Sequence, residues 1–393
     1  MSSLTTSTSE RTPTVGIVGG GQLALMTYQA ALSLDVPVVV LAARADDPVA
    51  RVATSVLIGD PGAAEALGAL AERCDVVTFD HELVPPALLE ELEAAGTVVR
   101  PSAATLRVAA DKLAQRRALE AAGLPVPAFV EVTRAADLDA FGARHGWPLV
   151  LKAARGGYDG RGIWIIDAAV EAAPHLEAGL PLLVEPHLPL ERELAVLVAR
   201  RPGGASVAYP VVETVQVDGI CHEVLAPAAV SADLAAEAQQ LAIAIADLVD
   251  AVGILAVELF VVDGRLSVNE LAPRPHNSGH LTIEGCATSQ FENHLRAVLD
   301  LPLGATDLRA EAVAMVNVLP SGTALRPLAE ALACDGSHVH LYGKQARPGR
   351  KVGHVTATGS DMDEVRARAR AATRRLVAPV ADDAGLGRVE VGS

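Results

Sequence analysis

Twelve consecutive residues, Asn269 to His280, carry a carboxylate (Glu270), a guanidinium (Arg274), two imidazoles (His276, His280) and two carboxamides (Asn269, Asn277). So polar a run does not suit a core strand. A second carboxylate, Glu258, lies one hairpin upstream in the apolar run that opens at Gly253 and closes on Asp263-Gly264. Two carboxylates on neighbouring strands can hold a hard cation, and the basic and amide groups beyond them can hold an anion. The combination predicts chemistry on a phosphate-bearing molecule with Mg²⁺. Asp263-Gly264 is a hairpin signal. A two-residue loop would pair Glu258 with Asn269 and turn Glu270 to the opposite face. A three-residue loop, Val262-Asp263-Gly264, pairs Glu258 with Val268 and Glu270 with Ala256, so that both carboxylates share a face. We expect the second arrangement, because it makes a cation site. Ordinary solvated strand glutamates are the plain alternative, and the apolar run around Glu258 weighs against it.

Two glycine-rich segments add to this. Gly19-Gly20-Gly21 follows a short apolar strand and opens a helix, as a dinucleotide fingerprint does. The acid that an NAD site wants after the second strand is missing, because that position reads Leu41-Ala42-Ala43-Arg44. The loop is therefore read as a phosphate cradle at a helix N-terminus, with a tight turn of small residues equally open. The second segment runs from Lys152 through Arg155 and Gly156 to Gly157, Tyr158, Asp159, Gly160, Arg161 and Gly162. It is not a Walker loop. Its glycines let the backbone close over a polyphosphate, and Lys152 can neutralise it. After Glu185, the backbone of Pro186, His187 and Leu188 can bond an adenine edge. A carboxylate, Glu185 or Glu193, can accept from ribose hydroxyls, with ordinary surface acids the plainer alternative.

The elements that must position these groups alternate strand and helix, which predicts an α/β chain with a parallel sheet at its start. Strands are expected over 14–18, 36–41 and 75–79, then over 147–153, 163–166, 182–185 and 193–200. Helices are expected from Gln22 to Leu34, Ala110 to Ala122, Ser231 to Asp250, Gln290 to Leu299 and Asp363 to Val377. At 393 residues there is room for two or three domains. Half the residues are hydrophobic, yet no stretch reads as membrane-spanning, because Asp247, Asp250 and Glu258 break the longest apolar region. Residues 1–13 read as a disordered tail rather than a signal peptide. Four scattered cysteines suit a reduced cytoplasm. A net charge of −16 and 3% aromatic residues argue against a nucleic-acid surface. Only four of the 32 basic side chains are lysines (Lys112, Lys152, Lys344, Lys351), and each sits beside a candidate motif. A lysine kept against such arginine usage suggests a need for its compact ammonium.

Together these segments resemble the ATP-grasp superfamily and, within it, the N5-carboxyaminoimidazole ribonucleotide synthetases, the biotin-independent carboxylases of purine biosynthesis. The resemblance runs from about Thr14 to Thr358. It rests on Gly19 to Leu23, Gly157 to Gly162, Asn269 to His280, Ser289 to Glu292 with His294, and Tyr342 to Lys344 followed by Pro348 to His354. It implies a Rossmann-like pre-ATP-grasp domain over 14–110, an ATP-grasp domain over 111–310 with a lid at about 125–187, and a C-terminal β-rich domain over 311–393. It implies that ATP phosphorylates bicarbonate to carboxyphosphate, and that the carboxyl group passes to 5-aminoimidazole ribonucleotide. Lys112 and Lys152 would hold ATP phosphates, with the loop Gly157 to Ile163 closing over them. Glu185 to Leu188, Glu193, Gln216 and Asn269 would complete the nucleotide site, and Glu258 and Glu270 would bind magnesium. Arg274, His276 and Asn277 would face bicarbonate and the aminoimidazole. Gly21, Gln22, Leu23, Glu82, Tyr158 and Arg161 would touch the ribonucleotide, and Lys344, Arg350 and Lys351 would grip its 5′-phosphate. A homodimer in the cytoplasm is the family expectation, with no nucleic-acid or membrane partner.

Two departures from the family pattern stand out. Ala24-Leu25-Met26 lacks an arginine common after Gln-Leu, and Asp80 in Thr78-Phe79-Asp80-His81-Glu82 is one methylene shorter than the usual glutamate. The nearest alternative is a formate-dependent glycinamide ribonucleotide transformylase, whose family has Glu in place of Gln22 and a Ser-rich lid. An NAD(P)-dependent oxidoreductase would leave Glu258, Glu270 and the lid unexplained. A catalytically silent binding module sits poorly with four intact charged groups, Lys112, Lys152, Glu258 and Glu270.

Overall fold

The structure, a computed structural model, describes residues 12–157 and 161–377. Residues 1–11 of the expected tail, and Tyr158, Asp159 and Gly160 of the expected lid loop, lie outside the described residues. Strands β1 (Val15–Val18), β2 (Val38–Ala42), β3 (Val56–Ile58), β4 (Val76–Phe79) and β5 (Val98–Val99) form a parallel sheet in the order β3-β2-β1-β4-β5. Parallel strands are covered on both faces, so β1, β2 and β4 read as unbroken apolar runs and are buried throughout. The strand order reverses between β1 and β4. At such a point the loops leaving the carboxyl ends diverge and open a crevice. Here those loops carry Gly19 to Gln22 and Asp80 to Glu82.

A second, antiparallel sheet comprises β6 (Val130–Val132), β7 (Leu149–Ala153), β8 (Ile163–Ile166) and β9 (Leu182–Pro186), in the order β6-β9-β7-β8. It lies within the 125–187 stretch. The third sheet has nine strands: β10 (Arg192–Arg200), β11 (Ser206–Ala208), β12 (Val212–Val217), β13 (Ile220–Ala226), β14 (Gly253–Val262), β15 (Arg265–Ala272), β16 (Ala312–Val318), β17 (Ser337–Leu341) and β18 (Gly353–Gly359). The main path is β15-β14-β10-β12-β13-β16-β18-β17, with β11 on β10. The C-terminal strands thus lengthen the central sheet across β13–β16 rather than forming one of their own.

One face of the central sheet is covered by the helix Ala232–Leu248, which starts where Ser231 Oγ accepts from Leu234 N. Its Ala238, Leu241 and Ile245 pack into the core with Val196, Leu255 and Val257. The helix Gln290–Val298 joins the first two units, because Leu295 and Val298 complete the core built on Val15, Ile17 and Tyr28. Its His294 is buried between them. Nδ1 accepts from Ile254 N (3.1 Å), so Nε2 carries the proton toward Thr78 Oγ1 (2.8 Å). The last helix, Met362–Leu376, sends Arg366 and Arg370 onto Glu223 of β13 at 2.6 and 2.5 Å. Cys74, Cys286 and Cys334 are free thiols. No helix among the described residues is long and apolar enough to cross a membrane.

Candidate active site

The site is organised by the β14–β15 hairpin, whose geometry differs from the sequence expectation. Val262 pairs with Arg265, leaving a two-residue loop in which Asp263 and Gly264 both have positive φ, 49° and 68°. A type I′ turn requires this, and the expected three-residue loop does not form. The simple register would then set Glu258 against Asn269. A bulge intervenes: Leu259 pairs with Val268, but Glu258 pairs with Glu270, and Asn269 is the extra residue. The carboxylates therefore lie directly opposite one another on one face, by a route the sequence did not suggest. Asn269 is re-aimed into the same space, where its Nδ2 donates to Glu258 Oε2 (3.2 Å) and its Oδ1 accepts from Lys152 Nζ (3.3 Å). Burial, reinforced by the facing charge of Glu270, raises the Glu258 pKa to about 7.

A bulge strips backbone groups of their ladder partners, and here a helix replaces them. Asp111 caps the helix Lys112–Ala121 by accepting from Leu113 N and Ala114 N. Gln115 Oε1 accepts from Leu271 N (3.2 Å), and Arg116 donates to the Asn269 carbonyl (2.8 Å). Lys112, on the first turn of the same helix, reaches Glu270 at 2.5 Å. Arg116 is fully buried and also bonds Glu185 Oε1 at 2.6 Å. Lys152 Nζ holds the other Glu185 oxygen at 2.7 Å. Burial alone would raise the Glu185 pKa, yet the two cations keep it below the usual range, while burial lowers that of Lys152. Both oxygens of the Glu185 carboxylate are thus engaged by protein cations, the residue being 2% exposed. Sequence reading did not find Arg116, although Lys112 and Arg116 are four apart, the spacing of one helix face.

One cleft of about 820 Å³ joins these groups to the polar run beyond them. Gly157, Ile163, Pro186, His187, Leu188, Glu193 and Gln216 border it at one end. Phe260 and Thr214 line it too and were not anticipated. The two-residue alternation along β14, which sets Phe260 on the face of Glu258, could have found the first. Gly162 accepts from Ala153 N (2.8 Å) to close the β7–β8 connection, and Arg161 is exposed outside the cleft.

At the other end, Glu82 grips Arg274 through both oxygens, one of them at 3.0 Å, so the expected ribonucleotide contact at Glu82 is engaged by the protein itself. Burial opposes ionisation of Glu82, but the Arg274 charge prevails and brings its pKa down to about 2. His276 is held through its backbone: Gln290 Oε1 accepts from His276 N and Gln290 Nε2 donates to His276 O, both at 2.8 Å. Its ring lies 2.9 Å from Ser278 Oγ and 3.4 Å from Glu258 Oε1. Asn277 and Asn317 exchange amide hydrogen bonds of 2.9 and 2.8 Å. Gln290 lies in the Ser289 to Glu292 segment that carries the resemblance, but no role was read for it there, and Asn317, 40 residues from Asn277, carried no sequence signal.

The groups assigned to the ribonucleotide are divided. Lys351 borders the main cleft. Lys344 instead donates to Gln22 Oε1 at 2.5 Å, and Arg350 Nη1 to the Gln345 carbonyl at 3.3 Å. Gly21, Gln22 and Leu23 border a smaller cleft at the end of β1. Gly21 N donates to Asp80 Oδ2 (2.7 Å), and a Cβ on Gly19, whose φ is +115°, would come within 1.6 Å of Asp80 Oδ1. Gly19 and Gly21 are therefore small to admit Asp80, which supplies a reason for a tight turn of small residues there.

Comparison with known proteins agrees with this architecture. Family models match for a ribonucleotide synthetase preATP-grasp domain over residues 12–110, an ATP-grasp domain over 117–291 and a phosphoribosylaminoimidazole carboxylase C-terminal domain over 313–368. The N5-carboxyaminoimidazole ribonucleotide synthase of Mycobacterium tuberculosis is 50% identical over 386 residues, covering 94% of this chain and 89% of its own. The crystal structure of the Thermus thermophilus synthetase is 38% identical with a TM-score of 0.84, covering 93% of this chain and 99% of its own. That of the Aspergillus clavatus enzyme in complex with ADP and 5-aminoimidazole ribonucleotide is 34% identical with a TM-score of 0.83, over 93% and 99% of the two chains. Sequence, domain order and fold agree, and the chain belongs to the N5-carboxyaminoimidazole ribonucleotide synthase family of ATP-grasp ligases.

Proposed function

We propose that this chain uses ATP and bicarbonate to carboxylate the exocyclic amine of 5-aminoimidazole ribonucleotide, releasing ADP and phosphate. The observation that carries the reading is the single cleft in which the Glu258–Glu270 pair, Lys112 and Lys152 adjoin Arg274, His276 and Asn277. A bicarbonate oxygen attacks the γ-phosphorus of ATP and ADP leaves, giving carboxyphosphate. The amine nitrogen then takes the carboxyl carbon, directly or as CO₂, and phosphate departs.

Lys112 and Lys152 are the phosphate-binding cations in this reading. Each is paired with a carboxylate, Glu270 and Glu185, which holds the ammonium groups in place. Glu193 and Gln216, with the backbone of Pro186 to Leu188, take the nucleoside, and Phe260 offers an apolar face beside them. Glu258 and Glu270, with Asn269 at their side, would hold magnesium. When bound, the ion neutralises charge on the transferred phosphoryl group. The fit is chemical: two opposed, partly buried carboxylates repel unless a proton or cation lies between them. Among the described residues no cluster of three or more His, Cys, Asp or Glu could hold an ion. The rest of its shell falls to nucleotide phosphates and water, as is usual for magnesium.

Arg274, His276 and Asn277 take bicarbonate and the aminoimidazole, and Lys351 the ribonucleotide 5′-phosphate, with Lys344 and Arg350 nearby. The β6–β9 sheet, with its loop at Gly157 to Ile163, is the lid that excludes water from a labile acyl phosphate. A cytoplasmic homodimer accompanies this reading, and sedimentation tests the dimer. ADP release with ATP, magnesium and bicarbonate, measured with and without 5-aminoimidazole ribonucleotide, tests the activity. Strong stimulation with an acid-labile carboxylated product is expected. Release indifferent to that ribonucleotide overturns the substrate.

A further inference from the structure

Asn317 lies on β16, 3% exposed and away from the polar run of β15, yet its carboxamide meets that of Asn277 edge to edge. An asparagine amide can sit either way round, and which edge it shows is set by its neighbours. Here the neighbours leave no choice. The Cys221 carbonyl of β13 can only accept, and it lies 3.0 Å from Asn317 Nδ2. That contact fixes the NH₂ group of Asn317 toward Cys221, so its second hydrogen goes to Asn277 Oδ1 (2.8 Å) and its Oδ1 faces Asn277 Nδ2 (2.9 Å). In Asn277 the oxygen and one amide hydrogen are then occupied. The other Nδ2–H has no partner among the described residues, and Asn277 borders the main cleft.

We infer that Asn317 is a positioning residue, one that locks the Asn277 amide so that a hydrogen-bond donor, never the carbonyl oxygen, faces an oxyanion in the cleft. The inference rests on the reading of Asn277 as a bicarbonate contact. It gives the C-terminal strands a part in the carboxylation chemistry without touching substrate. Bicarbonate and the carboxyl end of an acyl phosphate present oxygens that accept. An amide free to flip would show them its own oxygen in one of its two orientations and repel them. A backbone carbonyl two steps away removes that orientation, at no cost in reorganisation when the anion arrives.

The test is steady-state kinetics of the full chain, with bicarbonate and ATP varied separately, on Asn277→Ala, Asn317→Ala and the double variant. Each single change is expected to raise the KM for bicarbonate about tenfold, the scale of one hydrogen bond to a charged group, while the KM for ATP moves by less than about twofold. The double variant is expected to be no worse than Asn277→Ala, because Asn317 acts only through Asn277. Asn317→Asp keeps the volume and sets an acceptor against Asn277 Oδ1, and it should show the same selective defect. It also serves if the alanine variant fails to fold. A normal bicarbonate KM in both Asn317 variants beside an impaired Asn277→Ala overturns the inference. So do single effects that multiply, or a loss shared equally by ATP, bicarbonate and thermal stability. A normal bicarbonate KM in Asn277→Ala would instead sink the reading of Asn277, and the inference with it.

Discussion

The two ends of the cleft are wired differently. At the end carrying the two lysines the charged groups hold one another: Lys112 with Glu270, Lys152 and Arg116 with Glu185. They come from one helix, one hairpin and two strands of the small sheet. At the end carrying Arg274, His276 and Asn277 the polar run is fastened from behind by one residue from each of three regions. Glu82 from the first sheet holds Arg274, Gln290 holds the His276 backbone, and Asn317 from the C-terminal strands holds Asn277. Two of those three fastenings are between neutral amides and peptide groups. Ion pairs can exchange partners when a cation and a polyphosphate enter, so the first end is built to rearrange. Amide clamps have directional partners and no spare charge, so the second end is built to stay fixed.

The largest effects are expected at the first end. Glu270→Gln should lower ATP turnover by about 10³-fold, because it removes a carboxylate from the opposed pair and the partner of Lys112, while circular dichroism stays native. Retained ADP release would refute its role. Arg116→Met should be the largest stability loss, about 3–5 kcal/mol in denaturant titration, since it leaves Glu185 buried with a single cation and the Asn269 carbonyl without its donor. A loss below about 1 kcal/mol would show that the network is slack. At the second end, Lys351→Ala should raise the KM for the ribonucleotide about tenfold, leaving that for ATP little changed. Equal effects on both would place Lys351 with the nucleotide instead.

A further effect is spread over pH. Burial drops His294 from 6.5 to about 3, so the folded chain keeps it neutral while the unfolded chain protonates it. Its contribution is full above pH 6.5 and shrinks as pH falls toward 3. In that window it amounts to about 1.4 kcal/mol per pH unit. His294→Gln cannot take the proton, so the urea midpoint of the variant should fall less steeply between pH 6.5 and 5. Parallel slopes would assign the acid sensitivity elsewhere.

Much of the first end was legible because its chemistry is local. Lys152 stands on a strand before glycines, Lys112 at the start of a helix, and Glu258 in an apolar run where a lone carboxylate is out of place. The route to the carboxylate pair was not legible. A two-residue turn plus a bulge and a three-residue turn both bring the glutamates to one face. The bulge at Asn269 persists because Gln115 and Arg116, more than 150 residues earlier, supply the partners its backbone lacks. Glu185 shows the same limit, since only the packed structure reveals that its carboxylate is held by both Lys152 and Arg116.

By itself the sequence determined the alternation of strand and helix, the groups able to bind phosphate and cation, and the family they resemble, all of which rest on residue type and short spacing. Tertiary structure alone decided which of those groups remain open to a ligand. It seated Asp80 against Gly19 and Gly21, joined the C-terminal strands to the central sheet, and set Asn317 behind Asn277. The reason is physical. A polar group removed from water must find a partner, and for these residues the partners lie on strands and helices far apart in the chain.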